Sequence, residues 1–440
     1  MAEIRTLLAS PEARYILLVV GLFIVPRLLQ RWRLPRAVTA LGMGVLAGLG
    51  LHLFHEDAVI SLLATFGIVS LFLFAGLEVE FPELRRGWRV LTGHVAIQLL
   101  LLSGAWLLVS WAFELDARVA LLFALALVTP STGFILDSLG RFGLDDDQRF
   151  WVKSKAIATE IVALAVLLVA VQSVSWVRLL LSLLAIAAMV LLLPSLFRLF
   201  VRRLLPLAPR SEFAFLVILA LVCAAVTRAL GVYYLVGAFV VGIAAQCFRH
   251  ALPAPSFSQL LHAVELFASF FIPFYFFKTG LHLLPENFTW ISVLLGVGFV
   301  AILVPVRIGL VVLHRTRALR RGWAVAARTG AAMVPTLVFT LVIADILQER
   351  FGLPSDLYGA LTVYALVNTV LPGVLLGTPT PSYDEPEAEL LFEEVAAEDS
   401  LVEGSRDSAV EGGLTEGAAA VGGPAPSPAA PTVPSSADAP

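Results

Sequence analysis

Apolar residues recur along this chain in runs of about the length a helix needs to cross a bilayer, roughly 20 residues at 1.5 Å each. Thirteen such runs are predicted, over residues 13–31, 36–54, 58–78, 88–113, 118–139, 150–172, 175–200, 212–229, 231–248, 259–283, 288–313, 322–345 and 355–377. Polar and charged residues collect between them. After Leu376 the pattern stops, and Glu, Ala, Gly, Pro and Ser dominate with too few large apolar side chains to bury a core. The pattern thus predicts an all-α polytopic membrane domain over residues 1–378 and a disordered acidic tail over 379–440.

Two runs are broken at mid-length. The fifth carries Thr129-Pro130-Ser131-Thr132 and the twelfth Met333-Val334-Pro335-Thr336. A proline inside a helix removes one donor and frees the carbonyl it would have paired, so each break leaves backbone groups in need of partners within lipid. Runs five and twelve cross the membrane in opposite directions. Two broken helices of opposite direction at matching depth point to inverted repeats, with half-helix ends facing each other across a binding site. The sixth run supplies a carboxylate, Glu160, about 11 residues past its charged end. That is roughly 16 Å, near the middle of a core about 30 Å thick.

Composition and charge sharpen this picture. The chain is 59% hydrophobic and 14% charged over 440 residues, with a mean hydropathy of +0.90, which excludes an ordinary soluble globular protein. The tail from Pro379 holds 13 of the 33 acids against one base, Arg406, so the net charge of −3 divides into −12 for the tail and +9 for the rest. Twenty Lys and Arg residues fall after the odd-numbered runs and six on the other side, which predicts an outside N-terminus and a cytosolic C-terminus. The first run ends in Pro26-Arg27 without a small-residue cleavage pattern and reads as a retained helix. Cys223 and Cys247 lie in apolar stretches with no disulfide or metal-ligand spacing. No nucleotide fingerprint, metal cluster or nucleophile elbow is visible, so no enzyme, cofactor or nucleic-acid partner is expected.

The chemistry these residues permit is exchange at one site. A carboxylate at the midplane is costly to leave charged, so it holds a proton until a cation displaces it. The hydroxyls of Thr129, Ser131, Thr132 and Thr336, with Thr159 beside Glu160 and the freed carbonyls near Pro130 and Pro335, are expected to replace the cation's water, helped by the half-helix dipoles. One midplane carboxylate favours one-for-one exchange. Lys278, about five residues from the outer end of its run, reads as a snorkelling base. Asp137, Asp345, Glu78 and Arg328 read as solvated or interfacial residues near run ends, Glu265 as a residue near the cytosolic entrance, and His94, His262 and His314 as residues at or near cytosolic ends.

Several stretches are specific beyond their apolarity. FGIVSLFLFAGLEVEFPELRR from Phe66, Leu34-Pro35-Arg36 before a Gly-rich run, SEFAFLVILALVCAAVTRALGVYYLVGAFVVGIAA from Ser211, and FFIPFYFFKTGL from Phe270 occur in this order. Together they resemble the cation/proton antiporters of the KefB/KefC-like branch over most of residues 15–377. The resemblance implies a thirteen-helix sodium/proton antiporter-type fold, a panel that forms a homodimer, a mobile core with two crossed broken helices, and residence in a bacterial inner membrane. It also implies that Glu160 stands where the family carries its cation- and proton-binding aspartate, and that Arg307 is the base that stabilises the core. The chain departs from the family pattern at four points. Thr159-Glu160 replaces a polar-Asp pair, and Gly330-Ala331 replaces Gly-Glu. Lys278 stands where small or apolar residues are usual, and the nucleotide-binding domain many relatives carry after the last helix has no counterpart in residues 379–440. These differences bear on ion selectivity and stoichiometry. They leave two other readings open: a non-transporting sensor or scaffold acting through its tail, and an anion-linked carrier in which Lys278 and Arg307 meet the anion. The partner of the tail is undefined.

Overall fold

The computed structural model describes residues 10–30, 34–54, 56–246, 248 and 254–377. The expected tail over 379–440 and Cys247 lie outside them. Helices occupy α1 (Pro11–Leu29), α2 (Arg36–Val45, continued by a π-helical turn over Leu46–Gly50), α3 (Ala58–Leu77), α4 (Phe81–Arg86), α5 (Trp88–Phe113), α6 (Ala117–Val128), α7 (Thr132–Ser138) and α8 (Asp146–Gln172). There follow α9 (Trp176–Leu199), α10 (Glu212–Ala229), α11 (Tyr234–Ala245), α12 (Ala254–Leu281), α13 (Trp290–Ala318), α14 (Trp323–Ala332), α15 (Leu337–Phe351) and α16 (Ser355–Leu376). No strand occurs among the described residues.

Helix is present in each of the thirteen predicted runs. Among the described residues, nine segments are long and apolar enough to cross a bilayer, counting the broken stretch Ala117–Leu136 as one; α14 with α15, bent by 45°, makes a tenth. The other three runs yield less than predicted, for local reasons. The first helix carries Glu12, Arg14 and Arg27, the second with its π turn spans only Arg36–Gly50, and α11 is 12 residues long because residues 231–233 do not join it and it stops at Ala245, before a turn at Gln246. The sixth run starts earlier than predicted, at Asp146. There Asp145 accepts from the Gln148 backbone N–H at 2.7 Å and the Gln148 side chain accepts from the Asp145 N–H at 3.0 Å, a reciprocal cap that extends the helix into the polar loop.

The helices pack in two groups. In one, α12 lies against α2 and α3, and α11 against α3 and α10. In the other, α13 lies against α14 and α16, α15 against α6 and α16, and α8 touches α5, α6, α7 and α14. Close approach in the first group depends on glycine. A Cβ on Gly242 of α11 would strike the Leu73 carbonyl of α3 and stand 2.8 Å from Gly76 Cα, and one on Gly76 would strike the Phe239 carbonyl in return. Small residues on both faces let the backbones touch, which is how membrane helices gain van der Waals contact. Gly242→Ala is therefore expected to cost about 1–3 kcal/mol by overpacking. A thermal melt in detergent checks this, and an unshifted midpoint would contradict so tight a contact.

Besides the packing of α7 on α3, two sets of polar contacts join the groups at opposite ends of α8. At its start Lys153 Nζ lies 2.7 Å from Glu78 Oε2 and 3.4 Å from Glu80 Oε1, just past the end of α3. At its finish, 19 residues and roughly 28 Å further on, Gln172 donates to the Leu230 carbonyl at 3.1 Å, and Arg350 donates to that of Gly231 at 2.9 Å. Glu78 is thus not simply a solvated run end but half of a contact between the groups.

Candidate functional site

The two broken helices meet at their breaks. The backbone N–H of Ser131 donates to the Pro335 carbonyl at 2.8 Å, so each interruption supplies a partner to the other. Five further carbonyls at the breaks are met by side chains. At the end of α6, Ala126 accepts from the Thr340 hydroxyl (2.7 Å), Leu127 from the Tyr364 hydroxyl (2.5 Å) and Val128 from the Gln98 amide (2.9 Å). At the end of α14, Arg307 donates to Met333 O at 2.9 Å and to Val334 O at 3.0 Å, and reaches Tyr364 Oη at 3.3 Å. A buried carbonyl without a donor is costly in lipid, and these four side chains remove that cost for five of them. Among the described residues, no ion pair within 4 Å links Arg307 to a carboxylate. Its guanidinium caps a helix end.

Around the crossing lie oxygens that the protein does not satisfy. Glu160 on α8 is 2% exposed, and its Oε2 has no hydrogen-bond partner; nor have the hydroxyls of Thr129 and Thr132 or the Asn368 side-chain oxygen. Thr132 turns its hydroxyl and backbone N–H toward the Glu160 carboxyl, although Thr132 Oγ1 completes no hydrogen bond. On the other break, Thr336 Oγ1 accepts from Asn368 Nδ2 at 3.5 Å. Buried polar atoms are nearly always paired in native proteins. These four oxygens, one of them a carboxylate oxygen, are of the donor type that suits a small hard cation.

Of the predicted site residues, the structure brings Thr129, Pro130, Ser131, Thr132, Pro335 and Thr336 together at the crossing, with Glu160 beside Thr132. Thr159 is buried, but its hydroxyl points elsewhere. It donates to the Lys155 carbonyl at 2.9 Å and meets His94 Nε2 at 3.2 Å. Lys278 stands apart from the crossing, lining a cavity of about 250 Å³ between the two groups together with Asp345, Tyr233, Tyr234 and Tyr275. Asp345 differs from its reading as a solvated run end: it is half-buried and accepts from Tyr358 Oη at 2.9 Å. Asn368, Tyr364, Thr340 and Gln98 were not singled out from the sequence. Asn368 and Gln98 are polar residues in the middle of apolar runs, a signal that was available. Tyr364 and Thr340 resemble ordinary helix residues until the carbonyls they meet are known.

The family model described as "Sodium/hydrogen exchanger, transmembrane" matches residues 17–380. Two solved structures of the sodium proton antiporter MjNhaP1 from Methanocaldococcus jannaschii are similar in fold. One, determined at pH 8, is 14% identical with a TM-score of 0.61 and covers 82% of this chain and 94% of that one. The other, an electron-microscopy map, is 14% identical with a TM-score of 0.60 and covers 83% and 95%. No curated protein matches the chain.

Proposed function

We propose that this chain, which belongs to the sodium/hydrogen exchanger family, exchanges a monovalent cation, Na⁺ or K⁺, for a proton by alternating access, with Glu160 as the group both ligands compete for. The observation that carries this is the cluster of unpaired oxygens at the crossing, led by Glu160 Oε2 with Thr129 and Thr132. When Glu160 is ionised, a cation bound there completes those oxygens; when the cation leaves, a proton neutralises the carboxylate. One carboxylate at the crossing supports one-for-one exchange. Thr336 lies on the second break as a further oxygen, and Thr159, its hydroxyl committed to His94 and Lys155, belongs to the proton side of the site.

The rest of the reading follows the same lines. The motifs from Phe66, Ser211 and Phe270 support a place in the KefB/KefC-like branch. The helix group of α2, α3, α10, α11 and α12 is the panel, which pairs with a second copy, and the group containing the crossing is the moving core. The N-terminus lies outside, and the C-terminus and acidic tail lie in the cytosol of a bacterial cell. Arg307 is committed to the carbonyls of Met333 and Val334, which weighs against its meeting an anionic substrate. The test is cation-induced proton movement in proteoliposomes across Na⁺, K⁺, Li⁺ and Rb⁺. Silence with all four would favour a non-transporting scaffold.

The Lys153 contact bears on the motion. With the core bound to the panel through Lys153, Glu78 and Glu80, the cytosolic mouth is shut, while the cavity beside Lys278 and Asp345 lies on the outer side. Lys153→Glu, which sets three acids against one another, is expected to slow exchange several-fold, and adding Glu78→Lys to recover at least half of the rate, because facing charges couple strongly. Proteoliposome flux on the single and double variants reads this. A single variant as fast as wild type would remove the latch from the cycle.

A further inference from the structure

We propose that the cleft between α9 and α11 is a binding site for one anionic phospholipid, with its phosphate held by Arg198 and Arg202 and an acyl chain lying along the cleft wall. The site is separate from the crossing and does not depend on which ion is exchanged there.

The cleft follows from where the helices stop and bend. α11 ends after 12 residues, about 18 Å, whereas the apolar core of a bilayer is about 30 Å thick. α9 is the least enclosed of the nine long segments. It carries Pro194 inside the helix and passes into a π-helical turn over Phe200–Leu204, two features at which helices bend. Between the last turns of α9 and α11 lies an open cavity of about 700 Å³, walled by Val190, Pro194, Val201, Val240 and Ile243. Apolar walls offer water no partners, and an unfilled recess forfeits van der Waals contact along its length. In a bilayer the filler at hand is an acyl chain.

Two bases interrupt these apolar walls. Arg198 and Arg202, four residues apart, both line the cleft, and both are exposed. Among the described residues neither is ion-paired with an acid. Arg198 donates only within its own turn, to the Pro194 carbonyl at 3.3 Å and the Ser195 hydroxyl at 3.2 Å. A guanidinium has five N–H donors, so both arginines keep donors for a phosphate, which their planar forks grip by paired hydrogen bonds. Gln246, which also lines the cleft, is committed to the Leu77 carbonyl. The cleft thus offers an apolar length and a cationic end, the complement of an anionic phospholipid. A zwitterionic headgroup carries its own cation beside the phosphate and gains less from the two bases.

The cleft adjoins the contact that joins the two helix groups. Leu77, whose carbonyl accepts from Gln246, is the residue before Glu78. Phe81 of α4, 54% exposed, lines the cleft one residue after Glu80. Glu78 and Glu80 are the partners of Lys153. The lipid is therefore drawn from the leaflet on the Lys153 side, and it rests against the segment that carries the latch.

The experiment uses the full chain, purified and stripped of lipid in detergent. Phosphatidylglycerol or phosphatidylcholine of matched acyl chains is titrated back, and native mass spectrometry counts the molecules retained. Wild-type protein is expected to hold one phosphatidylglycerol about tenfold or more tightly than phosphatidylcholine. Arg198→Gln and Arg202→Gln should each weaken phosphatidylglycerol about fivefold and leave phosphatidylcholine unchanged. Val190→Trp keeps both charges and puts an indole into the cleft from a position that is 51% exposed, and it should displace the same lipid. All three positions are exposed, so lipid-free melting midpoints should match wild type, which separates lost binding from lost fold. Inorganic phosphate in large excess, the probe without acyl chains, should not compete. Equal retention of the two lipids by wild type, or retention unmoved by either arginine variant, means annular lipid only. Competition by inorganic phosphate would make this a site for a free anion, and a change of oligomeric state in Val190→Trp with lipid retained would give the cleft to a second copy of the chain. Each of these results overturns the proposal.

Discussion

Glu160→Gln is expected to abolish cation/proton exchange while the protein still inserts and folds. Glutamine keeps the size of the side chain and an oxygen facing Thr132, but it cannot take up a proton or offer the cation a full charge. The loss should be larger than for any hydroxyl at the crossing, because Thr129 and Thr132 contribute dipoles where Glu160 contributes the charge that changes. Folding should survive, since a neutral amide is cheaper to bury than a carboxylate. An undiminished cation-dependent pH signal in this variant would remove Glu160 from the mechanism. Glu160→Asp is expected to retain partial exchange, as the carboxylate withdraws by one methylene from oxygens arranged around the longer chain.

The second large effect is expected from Arg307→Ala. The resemblance to the cation/proton antiporters implied that Arg307 is a base stabilising the core, and the simplest form of that idea is a buried ion pair. The contacts give another cause. Its guanidinium satisfies the carbonyls of Met333 and Val334 where α14 stops. Truncation leaves two buried acceptors without donors, at about 1–3 kcal/mol each, and frees Tyr364, which also supports the Leu127 carbonyl of the other broken helix. A lower melting midpoint in detergent, together with slower exchange, is the expected result. Arg307→Lys should recover little, because one ammonium does not reproduce the planar fork that reaches both carbonyls. Lys278→Gln is the control, since Lys278 lies away from the crossing in the cavity with Asp345. If Lys278→Gln were inactive and Arg307→Ala stable and active, the unusual lysine would be the functional base, and the anion-linked reading would gain ground.

What the sequence by itself determined was whatever depends on one helix at a time. Hydrophobic length predicted where helices lie, because a backbone in lipid has to pair its own N–H and C=O groups and does so most simply as a helix. The two Pro-centred interruptions stood out because proline breaks that pairing wherever it sits. Glu160 stood out because a carboxylate deep in an apolar run has few structural excuses. α11 is shorter than its run of 231–248 for the converse reason: residues 231–233 read like helix, and composition does not tell a turn from the start of a crossing.

Only the tertiary structure decided which polar groups meet. Ser131 N–H and the Pro335 carbonyl are 204 positions apart in the chain, and no periodicity links them. The same holds for Arg307 with Met333 and Val334, for Lys153 with Glu78, and for His94 with Thr159 and His314. Each of these side chains, taken alone, reads as one near a span end or as an isolated polar residue in an apolar run. What gives it a role is the partner brought to it by helix packing, and packing depends on shape across many helices, such as the glycine contact of Gly76 with Gly242. Thr159 shows the difference most clearly. Its neighbour in sequence placed it beside the exchange carboxylate, and its neighbours in space, Lys155 and His94, turned its hydroxyl the other way.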